Sequence, residues 1–129
     1  MTNQALLDIN DLTVQFDTRR GKLTAVEGVG FSIAPGEVFG VVGESGAGKS
    51  LTGQAIIGLL EPPGHIAGGT ILLDGQRIDN LDDDRMRAIR GKEIGMIFQD
   101  PLTSLNPLYT IGKQLTETIL THTAMTPGQ

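Results

Sequence analysis

Cysteine is missing from all 129 residues, which excludes disulfide bridges and any thiolate-held metal. Basic residues are in the minority: ten Lys and Arg stand against fifteen Asp and Glu, a formal charge of −5. With a pI near 4.8, that balance argues against a basic surface of the kind that grips nucleic acid. There is no run of eighteen apolar residues to cross a bilayer. Met1-Thr2-Asn3-Gln4 has neither the charged nor the apolar region of a secretory signal. Internal repeats and low-complexity tracts are absent too. What remains is one domain's worth of chain with room for a modest core, expected to be soluble and cytosolic.

The most informative residues present are Gly43-Glu44-Ser45-Gly46-Ala47-Gly48-Lys49-Ser50, a G-x-x-x-x-G-K-S pattern. Before it, Val38-Phe39-Gly40-Val41-Val42 is a short apolar run that reads as a fully buried strand. After it, residues 51–60 carry apolar side chains at helical spacing and stop at Pro62-Pro63. Strand, glycine-rich turn and helix start are the setting in which this pattern cradles phosphate. The glycines let backbone N–H groups of Ser45, Gly46, Ala47 and Gly48 curl toward an anion, and the new helix adds its positive end. In that role Lys49 reaches the β- and γ-phosphates and the Ser50 hydroxyl ligates Mg²⁺. The bland alternative is a glycine-rich turn with a solvated lysine; the flanking elements weigh against it.

Elsewhere a strand is expected over residues 6–9 and on toward 13–16, then a turn at 18–22 and a second extended stretch over 23–33. Ala34-Pro35-Gly36-Glu37 is a turn. Residues 70–73 make a short strand closed by Asp74-Gly75. Asp82-Asp83-Asp84 opens a helix whose later residues are Arg85, Arg87, Arg90 and Lys92, acid first and base last as the helix dipole favours. A solvated helix start explains the three aspartates better than a metal site. Ile94-Gly95-Met96-Ile97-Phe98 reads as another buried strand. His65, in a Pro/Gly turn, and His122, in the last helix, both read as solvated.

Together, residues 43–50 and the later Met96-Ile97-Phe98-Gln99-Asp100-Pro101-Leu102-Thr103-Ser104-Leu105-Asn106-Pro107 resemble the ATP-binding subunit of ABC transporters, more narrowly those of the oligopeptide and dipeptide importer group. The resemblance runs from about Leu6 to Leu120. It implies an α/β, P-loop NTPase-type nucleotide-binding domain with an N-terminal antiparallel β subdomain, and ATP and Mg²⁺ as ligands. It places Phe16 where an aromatic ring stacks on adenine, although a strand residue packing into the small sheet explains Phe16 equally well. Gln99 matches the glutamine that approaches Mg²⁺ and the attacking water; an amide offers both an acceptor and a donor for that task. Its alternative is a simple strand cap. Asp100 to Pro107 would face membrane-embedded permease subunits. A second ATP-binding subunit and, indirectly, a solute-binding protein complete the implied assembly, at the inner face of the plasma membrane. Leu51 departs from the threonine many relatives carry, which removes a hydroxyl from the α-phosphate but keeps the backbone N–H.

Hydrolysis in that family also needs an acidic Mg²⁺ ligand followed by a glutamate, a serine-glycine signature and a switch histidine. None is found here: Asp74 comes too soon after Lys49, and no Leu-Ser-Gly-Gly-Gln segment occurs. Thr126-Pro127 has the form of a new helix start. Residues 1–129 are therefore expected to be the N-terminal, incomplete portion of such a domain. Three readings follow: part of an ATPase that powers peptide import, a non-catalytic fragment that at most binds nucleotide or a partner, or a different P-loop enzyme, against which the 99–107 segment speaks.

Overall fold

The computed structural model describes residues 4–43, 48–98, 105–126 and 128. They fall into two compact units, Met1–Asp82 and Asp83–Gln129.

The first unit is an antiparallel sheet with one helix packed on it. Strands β1 (Leu7–Thr18) and β2 (Gly21–Ile33) form a long hairpin closed at Arg19-Arg20, and β3 (Gly64–Leu73) lies on the other side of β1. A two-residue β4 (Gln76–Arg77) completes the order β2-β1-β3-β4. As the centre of the sheet, β1 supplies the most deeply buried side chains, Ile9, Leu12 and Val14, joined by Ile71 of β3. Strict alternation from Ile9 would put Asp11 in that core. Instead Asp11 adopts φ 52°, and β1 carries one residue more than either neighbour between Ile9 and Thr13, a bulge that returns Leu12 to the buried face. The bulge is what requires glycine opposite it. Gly69 has φ +90°, and a Cβ there would come 2.4 Å from the Asp11 carbonyl oxygen and 2.6 Å from that of Asn10.

Helix α1 (Lys49–Ile57) buries Thr52, Ala55 and Ile57. It ends at Gly58, φ 74°, rather than at Pro62-Pro63: Leu59 N–H bonds Gln54 O at 2.8 Å and Gly58 N–H bonds Ala55 O at 3.2 Å, a left-handed closure that glycine adopts without steric cost. β3 starts earlier than residue 70 because Gly64, His65 and Ile66 pair with Phe16, Gln15 and Val14.

Two expected strands do not form. Residues 38–42 carry no strand structure, and Val38 and Val42 are 99% and 95% exposed. Residues 95–98 likewise have no strand structure; Ile97 is 99% exposed, and Ile94 makes only an isolated bridge to Arg90. An apolar, β-prone run becomes a strand only when a neighbour pairs its N–H and C=O groups, and among the described residues neither segment has one.

In the second unit, α2 (Asp83–Ile89) buries Met86 and Ile89, with Asp83 and Asp84 in its first turn and Arg87 in its last. Helix α3 (Ile111–His122) starts at Thr110, whose hydroxyl accepts the Lys113 N–H at 3.1 Å.

Candidate nucleotide-binding site

The start of α1 carries no side-chain cap and no negative charge of its own. Gly48 is its N-cap at φ 89°, and no acidic residue occupies the first turn. The first N–H groups of a helix have no intrahelical partner, so the positive end of the dipole favours negative charge there. Gly48 is also a packing requirement: a Cβ there would come 2.9 Å from Val26 Cγ2, so the absence of a side chain lets the loop end press on the sheet. The Thr52 hydroxyl, one turn on, donates to the Gly48 carbonyl at 2.8 Å and fixes that peptide. Lys49 and Ser50, the first two helical residues, are exposed. The Lys49 ammonium donates to the carbonyl of Gly43 and so spans the loop from end to end.

Ser45, Gly46 and Ala47 lie outside the described residues, as do Gln99 and Asp100 to Ser104 of the second segment. Leu51 is half-buried in the first turn of α1. Beside the helix start, Phe39 stacks on Phe31, ring centres 4.8 Å apart and 10° from parallel. Residues 39–42 line a cavity of about 330 Å³ together with Val29, Phe31, Gly48, Lys49 and Thr52 among others.

Phe16 is placed on the sheet rather than by the loop. It pairs with Leu23 of β2 and Gly64 of β3, and it is half-buried. Along β1 it shares a face with Val14. Val14 pairs with Val26, the residue against Gly48, so Phe16 stands about 7 Å of strand beyond that contact.

His65 stands in a strand rather than a turn, whereas His122 lies in the last helix as expected. His65 lies in β3, half-buried, its Nδ1 3.3 Å from the Pro63 carbonyl and 4.0 Å from Asp17. His122 ends α3 with its ring against Gly91, where a Cβ would come 2.7 Å from Nε2. Among the described residues no group of three or more His, Asp or Glu gathers to hold a metal. Mg²⁺ is a hard cation that usually keeps one or two protein oxygens and takes the rest from phosphates and water; an exposed Ser50 hydroxyl beside a phosphate loop fits that donor set. Asp79 is a polar group that composition and spacing do not reveal. Its carboxylate accepts from the Ile71 N–H at 3.0 Å and from Arg77 Nε and Nη2 at 3.0 Å each.

An antiparallel sheet carrying a glycine-led helix that opens with Lys-Ser defines an α/β nucleotide-binding domain of the P-loop type. The family model described as ABC transporter matches residues 26–126, and the chain belongs to that family. It is 49% identical over 118 residues to the oligopeptide transport ATP-binding protein OppD of Bacillus subtilis, covering 91% of this chain and 33% of that one. With the dipeptide transport ATP-binding protein DppD of the same organism the identity is 47%, covering 95% and 37%. The chain thus spans about a third of the length of these relatives. The dimeric structure of MJ0796, a bacterial ABC transporter cassette, superposes with TM-score 0.80 at 26% identity, covering 95% of this chain and 51% of that one. A post-hydrolysis structure of the same cassette, bound to ADP and Pi, gives TM-score 0.79 at 27% identity.

Proposed function

We propose that this chain supplies the phosphate-binding half of an ABC-type ATPase whose complete form powers import of peptides or similar small solutes through membrane permease subunits. The observation that carries the reading is the uncapped start of α1 behind left-handed Gly48, with Lys49 and Ser50 exposed at its first two positions. Gly43 and Ser45 to Leu51 hold the triphosphate of ATP, with Ser45, Gly46, Ala47 and Gly48 contributing backbone N–H groups. Lys49 leaves the Gly43 carbonyl for the β- and γ-phosphates. Ser50 and Gln99 would hold Mg²⁺, which would neutralise negative charge on the phosphates. Phe16, on the same sheet face as the loop end, is the platform for the base. Gln99 also orients the attacking water and reports on the permease, which Asp100 to Pro107 meets. The working unit contains a second ATP-binding subunit, and the assembly lies on the cytoplasmic side of the membrane. No helix among the described residues is long and apolar enough to cross one. The curated relatives named as oligopeptide and dipeptide transport proteins support the substrate class.

Calorimetric titration of the chain with Mg·ATP tests the central claim. Lys49→Ala removes the one full positive charge aimed at the phosphates and is expected to weaken binding at least about tenfold, the equivalent of one charge-assisted hydrogen bond. Unchanged affinity would refute the phosphate assignment.

A further inference from the structure

Gly64 faces Phe16 across the β1–β3 ladder, and its reason for being glycine is space rather than torsion. Its backbone is not in the left-handed region that favours glycine, but a Cβ would be caught on two sides. It would stand 2.8 Å from Phe16 Cε1 and 3.1 Å from Cζ on one side, and 2.9 Å from the Glu61 carbonyl oxygen on the other. Of these neighbours only one can yield. The Glu61 carbonyl accepts the Gly64 N–H at 2.8 Å, so it belongs to the turn that starts β3. The Phe16 ring hangs on two rotatable bonds at the half-buried end of the hairpin. A bare glycine opposite an aromatic ring lets that ring settle over the neighbouring backbone, a known way of pinning cross-strand register.

We propose that Gly64 is a positioning residue for nucleotide binding, holding the Phe16 ring against the start of β3 in the orientation that receives a purine base. This inference rests on Phe16 being the base platform. Any side chain at 64 displaces the ring while leaving the loop at Gly48–Ser50, which lies on other residues, intact. The effect therefore separates by ligand. ATP has both a base and phosphates; inorganic tripolyphosphate has only the phosphates and makes no use of Phe16.

The test compares ATP with tripolyphosphate in the whole 129-residue chain. Stacking of a base on an aromatic side chain is worth enough to change affinity roughly five- to a hundredfold. Gly64→Ala is expected to weaken ATP binding about tenfold and to leave tripolyphosphate binding unchanged. Phe16→Ala is expected to do the same, and Gly64→Ala added to Phe16→Ala is expected to cost ATP nothing further, since the ring it acts through is gone. The chain contains no tryptophan, so Phe16→Trp installs a single reporter. Its emission is expected to change with ATP but not with tripolyphosphate, and Gly64→Ala in that background is expected to abolish the change. Loss of ATP affinity in Phe16→Ala but not in Gly64→Ala would overturn the role of Gly64 and leave the platform standing. Unchanged ATP affinity in Phe16→Ala would remove the platform itself. An equal loss for ATP and tripolyphosphate in Gly64→Ala would show general damage to the fold and would also overturn the proposal. Should Gly64→Ala alone not fold, Phe16→Ala/Gly64→Ala is expected to restore folding by vacating the space. A double variant that stays unfolded would place the conflict at Glu61 and refute the inference.

Discussion

The Asp79 carboxylate accepts the main-chain N–H of Ile71 at 3.0 Å, finishing with a side chain the hydrogen-bond ladder that β4 is too short to complete. Beyond the Leu72–Arg77 and Leu73–Gln76 pairs, Ile78 N–H reaches Ile71 O at 2.9 Å, and then the strand ends. Ile71 is fully buried, so its N–H has no water to turn to. Asp79→Ala is expected to cost about 1–3 kcal/mol, the penalty for a stranded buried donor, read by urea denaturation. Arg77→Ala is expected to cost less, because its guanidinium is half-exposed and screened by water.

The same carboxyl makes stability depend on acid. The Asp79 side chain is only 5% exposed, and burial by itself raises its pKa. The hydrogen bond from Arg77 and the N–H groups of Ile71 and Asp79 itself, with the Arg77 charge, outweigh burial and hold it below the ordinary value. A depressed folded-state pKa contributes stability that is complete above the unfolded value, about 3.9, and disappears as pH falls through the folded one. Unfolding midpoints of the native chain and Asp79→Asn are therefore expected to differ at pH 7 and to converge below about pH 4. A constant gap down to pH 2 would contradict this assignment.

Ser50→Ala is expected to separate metal from nucleotide. Removing the hydroxyl takes away one Mg²⁺ ligand while the loop N–H groups and Lys49 remain. Titrations with ATP in EDTA should match the native chain, whereas the gain in affinity on adding Mg²⁺ should shrink. Equal losses with and without Mg²⁺ would speak against the metal role.

Gly69→Ala is expected to be among the most damaging single changes in the sheet. The new Cβ meets backbone atoms of Asn10 and Asp11, which belong to the bulge and cannot rotate away, and it also inherits φ +90°. Left-handed strain and a backbone clash together are expected to cost roughly 3 kcal/mol or more. Thermal unfolding measures it. Gly21→Ala is the control: its φ is also positive but nothing lies within 4 Å of the added atom, so only the torsional part, about 1–2 kcal/mol, is expected.

In the second unit Gln114 ties the loop before α3 to the helix. Its Oε1 accepts the Asn106 N–H at 2.9 Å, while Nε2 donates to Asn106 O at 2.9 Å and to Tyr109 O at 3.1 Å. Gln114→Glu keeps the shape but turns the donor into an oxygen facing two carbonyls. Amide exchange at Tyr109 and Leu108 is expected to accelerate about tenfold, the equivalent of one hydrogen bond, with α3 beyond Lys113 unaffected. Since Leu105 to Pro107 belong to the segment proposed to meet the permease, the same variant is expected to weaken co-purification with those subunits.

Much of the fold was legible in residue order. The turn at Arg19-Arg20, the extended stretches on either side, the helix after Gly48 and the acid-first helix at Asp83 all follow from local chemistry. Leu51 to Leu60 were readable as helix, but the stop was not. Gly58 ended it four residues before the first proline because its backbone folds left-handed, and an isolated glycine within a helical pattern does not announce that. The candidate site was legible where it is local, at Gly48, Lys49 and Ser50. The position of Phe16 on the face that meets the loop end needed the β1–β2–β3 register.

Val38 to Val42 and Ile94 to Phe98 mark the limit from the other side. Their apolar, β-branched composition specifies what they would do given a partner, and composition cannot supply one. By itself the sequence determined the short-range features: a left-handed glycine before Lys49, a helix start without a cap, an acidic first turn in α2. Only the tertiary structure decided which strands exist, where the bulge at Asp11 restores Leu12 to the core, and that Asp79 closes an unfinished edge. The reason is the range of the forces. Torsional preference and capping act over a few bonds, whereas a strand, a bulge or a buried carboxylate gains its free energy from groups distant in sequence that only the folded chain brings within 3 Å.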